Sequence, residues 1–322
     1  MPQPEHHIAF GPIPSRRLGW SLGINNIPAK ACSYTCLYCQ VGPTTEKIIE
    51  PREFFTPGQI VDAVGTHLAR ARQQGTPVDY LTFVPDGEPT LDIHLGETIA
   101  KLKPLGVPVA VLTNASLLWR EDVRTRLARA DLVSVKVDAV TEATWRRIDL
   151  PHHGLQLERV LAGMRAFAAG YAGKLISETM LLAGLNDDEA TLTATTEFLA
   201  SIGPHTAYIA IPTRPPTVAS VHGSDALALT RAHEIFAARL PRVELLTGHE
   251  TEAFAHTGNA RIDLLGITAV HPMRESAVRQ LLRDDGADWG LVESLLASGE
   301  LKHVDYEGQR FYLRPVKVRH GG

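Results

Sequence analysis

The feature that most constrains the fold is a sixfold alternation of apolar runs and helical segments over roughly the first two hundred residues. The runs are rich in Val, Ile and Leu and show little polar alternation, which is typical of strands buried on both faces of a parallel sheet. They are 22–27, 81–84, 107–112, 132–137, 175–182 and 207–211. This order predicts a parallel α/β fold, either a doubly wound sheet or a partial six-strand (β/α) barrel.

Helix signals lie between the runs. Thr56 and Pro57 predict an N-cap followed by a proline in the first turn. Asn186 and Asp187 predict the start of another helix, because acidic residues follow them where the helix dipole favours negative charge. Segments 157–167 and 226–240 show the same helical period. Each helix would connect one parallel strand to the next.

Polar or unusual residues follow the runs where the strands should end. They are Asp86-Gly87-Glu88-Pro89, Thr113-Asn114, Lys136 with Asp138, Asn186, and Thr213-Arg214. One such residue alone is often a helix cap or a turn. Because the carboxyl ends of parallel strands carry the chemistry of these folds, the whole set predicts one edge of a functional site.

The pattern changes after Pro241. Segment 247–257 is polar and predicts a loop, and from Ile267 a short extended piece is expected. The elements predicted beyond it are a helix at 274–282, a turn at Gly286, a helix at 291–296, and a hairpin of 301–304 with 310–313. This is the element order of a winged helix.

We therefore predict a partial barrel over 1–240, a connecting segment over 241–273 and a small winged-helix-like domain over 274–322. The last part carries eight Lys or Arg residues and eight Asp or Glu residues. It is neutral, whereas a DNA-binding module usually has a basic excess. Its charge therefore does not favour contact with RNA. It is at least as consistent with a module that holds a protein or peptide substrate or packs against the barrel.

Composition excludes several classes of protein. The chain has 322 residues, a formal charge of -4, 44% hydrophobic residues and 21% charged residues, as expected for a globular protein. Its uncharged apolar stretches are far shorter than the ~18 residues of a membrane span. The N-terminus has no apolar core of signal-peptide length, so we expect the protein in the reducing cytoplasm, without a membrane partner.

The chain has three cysteines, Cys32, Cys36 and Cys39, all within eight residues. An odd, clustered set indicates ligands or nucleophiles instead of disulfides. A structural zinc ion takes four protein ligands, so a zinc site would have to recruit a distant histidine. A nucleophilic cysteine would not need two companions at fixed spacing. The pattern favours an iron-sulfur cluster, and three ligands on a four-iron cube leave one iron open.

The spacing CxxxCxxC, with Tyr38 before the last cysteine, resembles the signature of the radical S-adenosylmethionine (SAM) superfamily. The resemblance implies a partial (β/α) barrel, a 4Fe-4S cluster on the three cysteines and SAM as cofactor. It also implies a low-potential electron donor such as flavodoxin or ferredoxin. In this family the open iron chelates the methionine end of SAM, and reductive cleavage yields a 5'-deoxyadenosyl radical.

The same resemblance assigns roles to residues at the strand ends. Gly87 and Glu88 resemble the glycine-rich motif whose carboxylate receives the methionine ammonium, with Asp86 where a first glycine is common. The other implied SAM contacts are Tyr38 at the adenine, Lys136 at the methionine carboxylate, and Asp138 or Asn186 at the ribose.

Four further segments, 11–19, 147–152, 184–187 and 214–216, resemble a subgroup of iron-sulfur oxidoreductases related to the wyosine tRNA-base synthases. Those synthases carry additional cysteines for a second cluster, which this chain lacks, so their reaction does not carry over. An RNA base is the favoured substrate and a peptide or protein the alternative, including glycyl-radical activation. A non-catalytic iron-sulfur redox regulator is the third hypothesis.

Other residues have weaker signals. Arg16-Arg17 and Arg214 are suited to an anionic group such as a phosphate, although ion pairs or turns explain them equally well. His152-His153 could transfer protons or lie on the surface. A second metal site is conceivable at His249, Glu250, Glu252 and His256, but their spacing matches no metal motif.

Overall fold

The computed structural model describes residues 8–247, 254 and 258–315. In chain order its strands are β1 (Ala9–Ser15), β2 (Gly19–Ile24), β3 (Ala31–Cys32), β4 (Glu46–Lys47), β5 (Tyr80–Phe83), β6 (Val109–Thr113), β7 (Leu132–Lys136), β8 (Lys174–Met180), β9 (Thr206–Ala210), β10 (Val243–Leu246), β11 (Met273–Arg274), β12 (Lys302–Tyr306) and β13 (Gln309–Leu313). Its helices are α1 (Pro57–Gln73), α2 (Leu95–Leu102), α3 (Glu121–Leu127), α4 (Glu142–Asp149), α5 (Leu157–Gly170), α6 (Glu189–Ile202), α7 (Ala226–Ala237), α8 (Ala260–Val270), α9 (Glu275–Asp284) and α10 (Gly290–Ala297).

The main sheet has eight strands in the order β1-β2-β5-β6-β7-β8-β9-β10. All neighbours pair in parallel except β1, which is antiparallel to β2. The order never reverses, whereas a doubly wound sheet requires a reversal. The sheet is therefore a curled half-barrel, and the predicted α/β partial barrel is confirmed.

All six predicted strands are present, as β2 and β5 to β9, but the sequence did not indicate the two edge strands. Strand β1 contains Pro12 and Pro14, which are unusual inside a sheet and tolerated at an edge. Strand β10 is four residues long and carries Glu244. It pairs with β9, so the main sheet extends past residue 240.

The helices begin near the predicted positions. Thr56 caps α1 in a reciprocal capping box with Gln59. Helix α6 starts slightly later than predicted, because Asp188 is its N-cap and accepts a hydrogen bond from the Thr191 amide. Asn186 lies before that cap and has a different role, described below.

Alternate residues of the strands lie on opposite faces of the sheet. Val109 and Val111 of β6 pack in the large core beneath the helices, whereas Ala110 belongs to a smaller cluster on the other face. Ser21 and Thr82 are hydrogen-bonded to each other between β2 and β5. Small side chains on the inner face leave space inside the half-barrel.

The C-terminal part contains the predicted helices and hairpin. Strands β11, β13 and β12 form a three-stranded sheet, and the β12–β13 hairpin turns at Glu307 and Gly308, both with positive φ. The extended piece expected from Ile267 is wrong, because Ile267 lies inside α8 and is buried. The winged-helix class and the domain boundaries stay predictions.

Described residues of the C-terminal part contact the main sheet. Ile13 of β1 packs against the apolar cluster formed by α8, α9 and α10. The Tyr306 hydroxyl of β12 donates to the Pro212 carbonyl, just after β9, at 3.2 Å. These contacts position the C-terminal part beside the strand ends. Within the described ranges, no helix is long and apolar enough to cross a membrane.

Two helical glycines give a matched test of the packing. A Cβ at Gly163 of α5 would lie 2.3 Å from the Trp119 amide nitrogen, whereas a Cβ at Gly65 of α1 has nothing within 4 Å. We expect Gly163→Ala to lower the free energy of unfolding by about 1–3 kcal/mol through overpacking. Gly65→Ala should raise it by about 0.4–1 kcal/mol. Guanidinium unfolding measures both, and equal stability of the two variants would contradict the helix placement.

Candidate active site

A cavity of about 290 Å³ lies inside the half-barrel at the carboxyl ends of the strands. Among the residues that line it are the three cysteines, Tyr38, Gly87, Glu88 and Lys136. These predicted site residues come from the loop after β2, the turn after β5 and the end of β7. The structure therefore brings together most of the side chains that the sequence singled out.

The cysteine loop is held by backbone hydrogen bonds to the last residues of α4 and the residues just after it. The three bonds are Leu37 N to Ile148 O at 2.9 Å, Thr35 N to Asp149 O at 3.0 Å, and His152 N to Ser33 O at 2.8 Å. They involve alternate residues of the loop, and the residues between them, Cys32, Tyr34, Cys36 and Tyr38, line the cavity. Segment 148–152 thus acts as a brace for the loop.

The cysteine sulfurs have hydrogen-bond donors close by. Cys32 Sγ accepts from the Tyr34 amide at 3.5 Å and from Asn114 Nδ2 at 3.6 Å. Cys39 Sγ accepts from Lys30 Nζ at 3.2 Å. Donors of this kind stabilise thiolate ligands and tune the potential of the cluster that they hold.

The arrangement of the cysteines does not suit a single ion. Among the described residues, no three His, Cys, Asp or Glu side chains are close enough together to hold one metal ion. Tetrahedral zinc would draw its sulfur ligands to about 3.8 Å from one another, given Zn–S bonds of about 2.3 Å. Three thiols without a fourth cysteine suit a cluster with one open iron better than a structural zinc site.

Burial strongly affects the thiols. Desolvation, together with the negative charge of Glu88, raises the pKa of Cys32 to about 12. Burial and the nearby Asp149 raise the pKa of Cys36 well above its usual value. Both thiols keep their protons at neutral pH unless a metal replaces them. Loading of the site therefore releases protons.

Glu88 is almost completely buried, and its carboxylate is fixed by four donors. Oε1 accepts from Thr90 N at 3.0 Å, from Thr90 Oγ1 at 2.5 Å and from Thr113 Oγ1 at 2.6 Å, while Oε2 accepts from Asn114 N at 2.8 Å. Burial raises the pKa of Glu88, although these hydrogen bonds oppose the rise. The carboxylate has a fixed orientation at the cavity wall.

The turn after β5 packs directly against the cysteine loop. A Cβ at Gly87 would lie 1.9 Å from the Ala31 carbonyl oxygen, so this position requires glycine. The Glu88 amide donates to that same carbonyl at 3.1 Å, and the Lys30 amide donates to the Asp86 carbonyl at 2.9 Å. Asp86 fits where a glycine is common because its side chain accepts from Asn25 Nδ2 at 3.0 Å.

Lys136 lies in the cavity with two partners. Its Nζ is 3.4 Å from Glu178 Oε1 and 4.5 Å from the centre of the Tyr38 ring. Glu178 also forms an ion pair with Arg17. Glu178 therefore fixes the Lys136 ammonium at the cavity wall, next to the Tyr38 ring.

Asp138 and Asn186 are not among the described residues that line the cavity. Asp138 accepts from the Tyr38 hydroxyl and, at 2.7 Å, from the Met180 amide. Asn186 Nδ2 donates to the carbonyls of Asp138, at 2.8 Å, and Met180, at 2.9 Å. Both side chains connect strand ends to one another, and their role at the ribose stays a prediction.

Two buried charged residues next to the cysteines were missed from the sequence. Asp149 lies beside Cys36, with Oδ1 3.4 Å from the Tyr38 hydroxyl, and burial and Asp138 raise its pKa well above the usual value. Lys30 lies beside Cys39. Asp149 belongs to the segment 147–152 already singled out, whereas Lys30 had no sequence signal beyond its closeness to Cys32.

Only some of the residues with weaker sequence signals lie at the cavity. Arg16 and Arg214 line the cavity, where Arg16 donates to the Leu246 carbonyl at 2.7 Å and Arg214 to Gln40 Oε1 at 2.7 Å. The rings of His152 and His153 stack on each other at 4.2 Å. The candidate metal residues His249, Glu250, Glu252 and His256 lie outside the described residues.

Comparison with known families decides the affiliation. Residues 26–195, which include the cysteine loop, match the model of the radical SAM superfamily. The chain belongs to the radical SAM superfamily. It is therefore an enzyme of a superfamily that works with SAM and an iron-sulfur cluster.

The chain is also similar to known proteins in sequence and in fold. The chain is 43% identical over 314 residues to a UPF0026 protein of Methanocaldococcus jannaschii, which covers 97% of each chain. It is 28% identical over 162 residues to a probable GTP 3',8-cyclase of Pyrococcus horikoshii, which covers 50% of this chain and 47% of that protein. A radical SAM methyltransferase from Sphaerobacter thermophilus has the same fold, with a TM-score of 0.52, 17% identity and coverage of 71% and 67% of the two chains.

The contact at Gly87 predicts a loss of metal loading. An alanine at this position would displace the Ala31 carbonyl and with it the adjoining Cys32. We expect Gly87→Ala to bind less than half of the wild-type iron and sulfide after anaerobic reconstitution. Gly170→Ala is the control, since nothing lies within 4 Å of a Cβ there. Full loading of Gly87→Ala would show that this close approach does not set the loop.

Asp86 predicts a pH dependence of stability. Burial raises the pKa of its carboxyl from 3.8 to about 7, so between these values the folded chain holds a proton that the unfolded chain releases. Stability should therefore fall as pH rises through this window, by at most about 1.4 kcal/mol per pH unit from this group. We expect Asp86→Asn to gain stability relative to wild type from pH 5 to 7.5, as measured by guanidinium unfolding. Parallel pH profiles would contradict the shift.

Proposed function

We propose that this chain is a radical SAM enzyme that holds a single 4Fe-4S cluster through Cys32, Cys36 and Cys39 and cleaves SAM reductively. One observation carries the proposal: the only three cysteines of the chain line the same cavity as Glu88 and Lys136. Three thiolates leave one iron of such a cluster without a protein ligand. When bound, the reduced cluster supplies the electron that breaks the C–S bond of SAM, giving methionine and a 5'-deoxyadenosyl radical.

The protein's own residues would orient SAM. The Glu88 carboxylate is already fixed by Thr90, Thr113 and Asn114, so it can accept the methionine ammonium without being ordered at the moment of binding. Lys136 offers a positive charge to the methionine carboxylate, and Tyr38 offers an aromatic ring to the adenine. The ribose is assigned to Asp138 or Asn186 by resemblance alone, because neither residue is among those that line the cavity.

A macromolecular substrate, most plausibly an RNA base, fits the remaining features. The arginines Arg16, Arg17 and Arg214 line the cavity in addition to the SAM residues. Arginine is well suited to phosphate, and RNA supplies it next to every base. The similarity of segments 11–19 and 214–216 to the wyosine-related subgroup points the same way. A flavodoxin or ferredoxin would deliver the electron.

The cleavage step has a direct test. Anaerobically reconstituted protein, reduced with dithionite in the presence of SAM, should release 5'-deoxyadenosine. Cys36→Ala should fall to the level of a reaction without protein, because two thiolates no longer hold the cluster in place. Thr125→Ala, on the exposed surface of α3, is the control and should match wild type.

Wild type without product above background would overturn the enzyme proposal. Activity in Cys36→Ala would overturn the cluster assignment.

The substrate has a separate test. Modified nucleosides and modified peptides should be compared between cells with and without the gene. We expect one modified nucleoside to disappear in the deletion strain and to return with wild type, but not with Cys36→Ala. If the nucleoside profile is unchanged and a peptide modification is lost, the substrate is a protein or peptide and not RNA.

A further inference from the structure

Lys30 is a buried lysine whose ammonium lies against a cysteine of the loop. Only 2% of the residue is exposed, and Nζ lies 3.2 Å from Cys39 Sγ. Lysine is almost never buried unless a partner compensates its charge. The sulfur of Cys39 is such a partner once it is a thiolate.

The backbone at this position makes a lysine still more unusual. Lys30 has φ of +64°, a left-handed conformation that glycine adopts freely and that lysine rarely adopts. Its amide donates to the Asp86 carbonyl at 2.9 Å, and its carbonyl accepts from the Glu46 amide at 3.3 Å. The turn is therefore fixed from both sides, and glycine would satisfy it at lower cost. The side chain, and not the backbone, accounts for a lysine here.

The charge of Lys30 acts on the whole loop. It stabilises the negative form of the Cys32 thiol as well as that of the Asp86 carboxyl. In a buried site of low dielectric, such interactions are much stronger than in water. Lys136 acts in the same way on Cys36, but Glu178 shares its charge.

We propose that Lys30 raises the reduction potential of the 4Fe-4S cluster by donating a charged hydrogen bond to the Cys39 thiolate. The inference depends on the proposed function for the presence of that cluster. Reduction adds one electron, taken from a flavodoxin or ferredoxin in the cell or from dithionite in the test, and so adds one negative charge. A cation at a ligand sulfur favours the reduced state and makes it accessible to a biological donor. Lys30 is thus a positioning and tuning residue that acts through Cys39.

The test is a redox titration of the full-length, reconstituted protein, followed by the electron paramagnetic resonance signal of the reduced cluster. Lys30→Met keeps the unbranched shape and the backbone strain of lysine, is one heavy atom shorter, and removes the charge. We expect its equilibrium constant for reduction to fall about tenfold, which is a shift of about 59 mV to more negative potential for one electron. Lys30→Arg keeps the charge and should shift much less.

Two controls separate tuning from folding. Lys101→Met removes an exposed lysine of α2 and should leave the potential unchanged. Lys30→Gly removes the ammonium and suits the left-handed backbone, so it keeps the test possible if Lys30→Met fails to fold. We expect a negative shift in Lys30→Gly as well.

Wild-type potential in the fully loaded Met and Gly variants would overturn the proposal. Loss of the cluster in both, with retention in Lys30→Arg, would assign Lys30 to assembly and would also overturn tuning. Failure of the proposed radical SAM function would look different from failure of the Lys30 proposal. In the first case, wild type itself would hold no 4Fe-4S cluster, or would hold one and release no 5'-deoxyadenosine. The titration itself does not need SAM.

Discussion

The site depends on the backbone contact between the cysteine loop and the turn after β5. The Ala31 carbonyl accepts the Glu88 amide, and Gly87 leaves no room for a side chain between the two segments. One contact therefore sets the position of Cys32 relative to the Glu88 carboxylate. The brace at 148–152 fixes the other side of the loop through peptide groups alone, so its effect requires a particular backbone path more than particular side chains.

The charged side chains around the cavity are paired with one another. Arg17 and Lys136 both form ion pairs with Glu178, and Lys30 lies against Cys39 and near Asp86. Because buried charges are costly without partners, each of these groups holds its neighbour in place. A cofactor with both an ammonium and a carboxylate fits a wall that already offers both signs of charge.

The sequence predicted most of the fold, because the six central strands are rich in Val, Ile and Leu and alternate regularly with helical segments. It missed β1 and β10, whose edge positions tolerate proline and glutamate, and it misassigned Ile267, since a buried helix and a buried strand look alike over a few apolar residues. In the site, spacing singled out Cys32, Cys36 and Cys39 and a motif resemblance singled out Glu88, and all four line the cavity. The sequence did not reveal Lys30 or Asp149, whose positions beside the cysteines follow from tertiary contacts.

The hydrogen bond from Arg16 to the Leu246 carbonyl helps to close the half-barrel. Arg16 follows β1 and Leu246 ends β10, so a guanidinium ties together the two edges of the open sheet. Ile13, packed into the C-terminal part, and Tyr306, bonded to Pro212, reinforce the same seam. Side-chain contacts therefore bridge the gap that an incomplete barrel leaves along its side. The cavity is then left to open chiefly towards the carboxyl ends of the strands, where its lining residues lie.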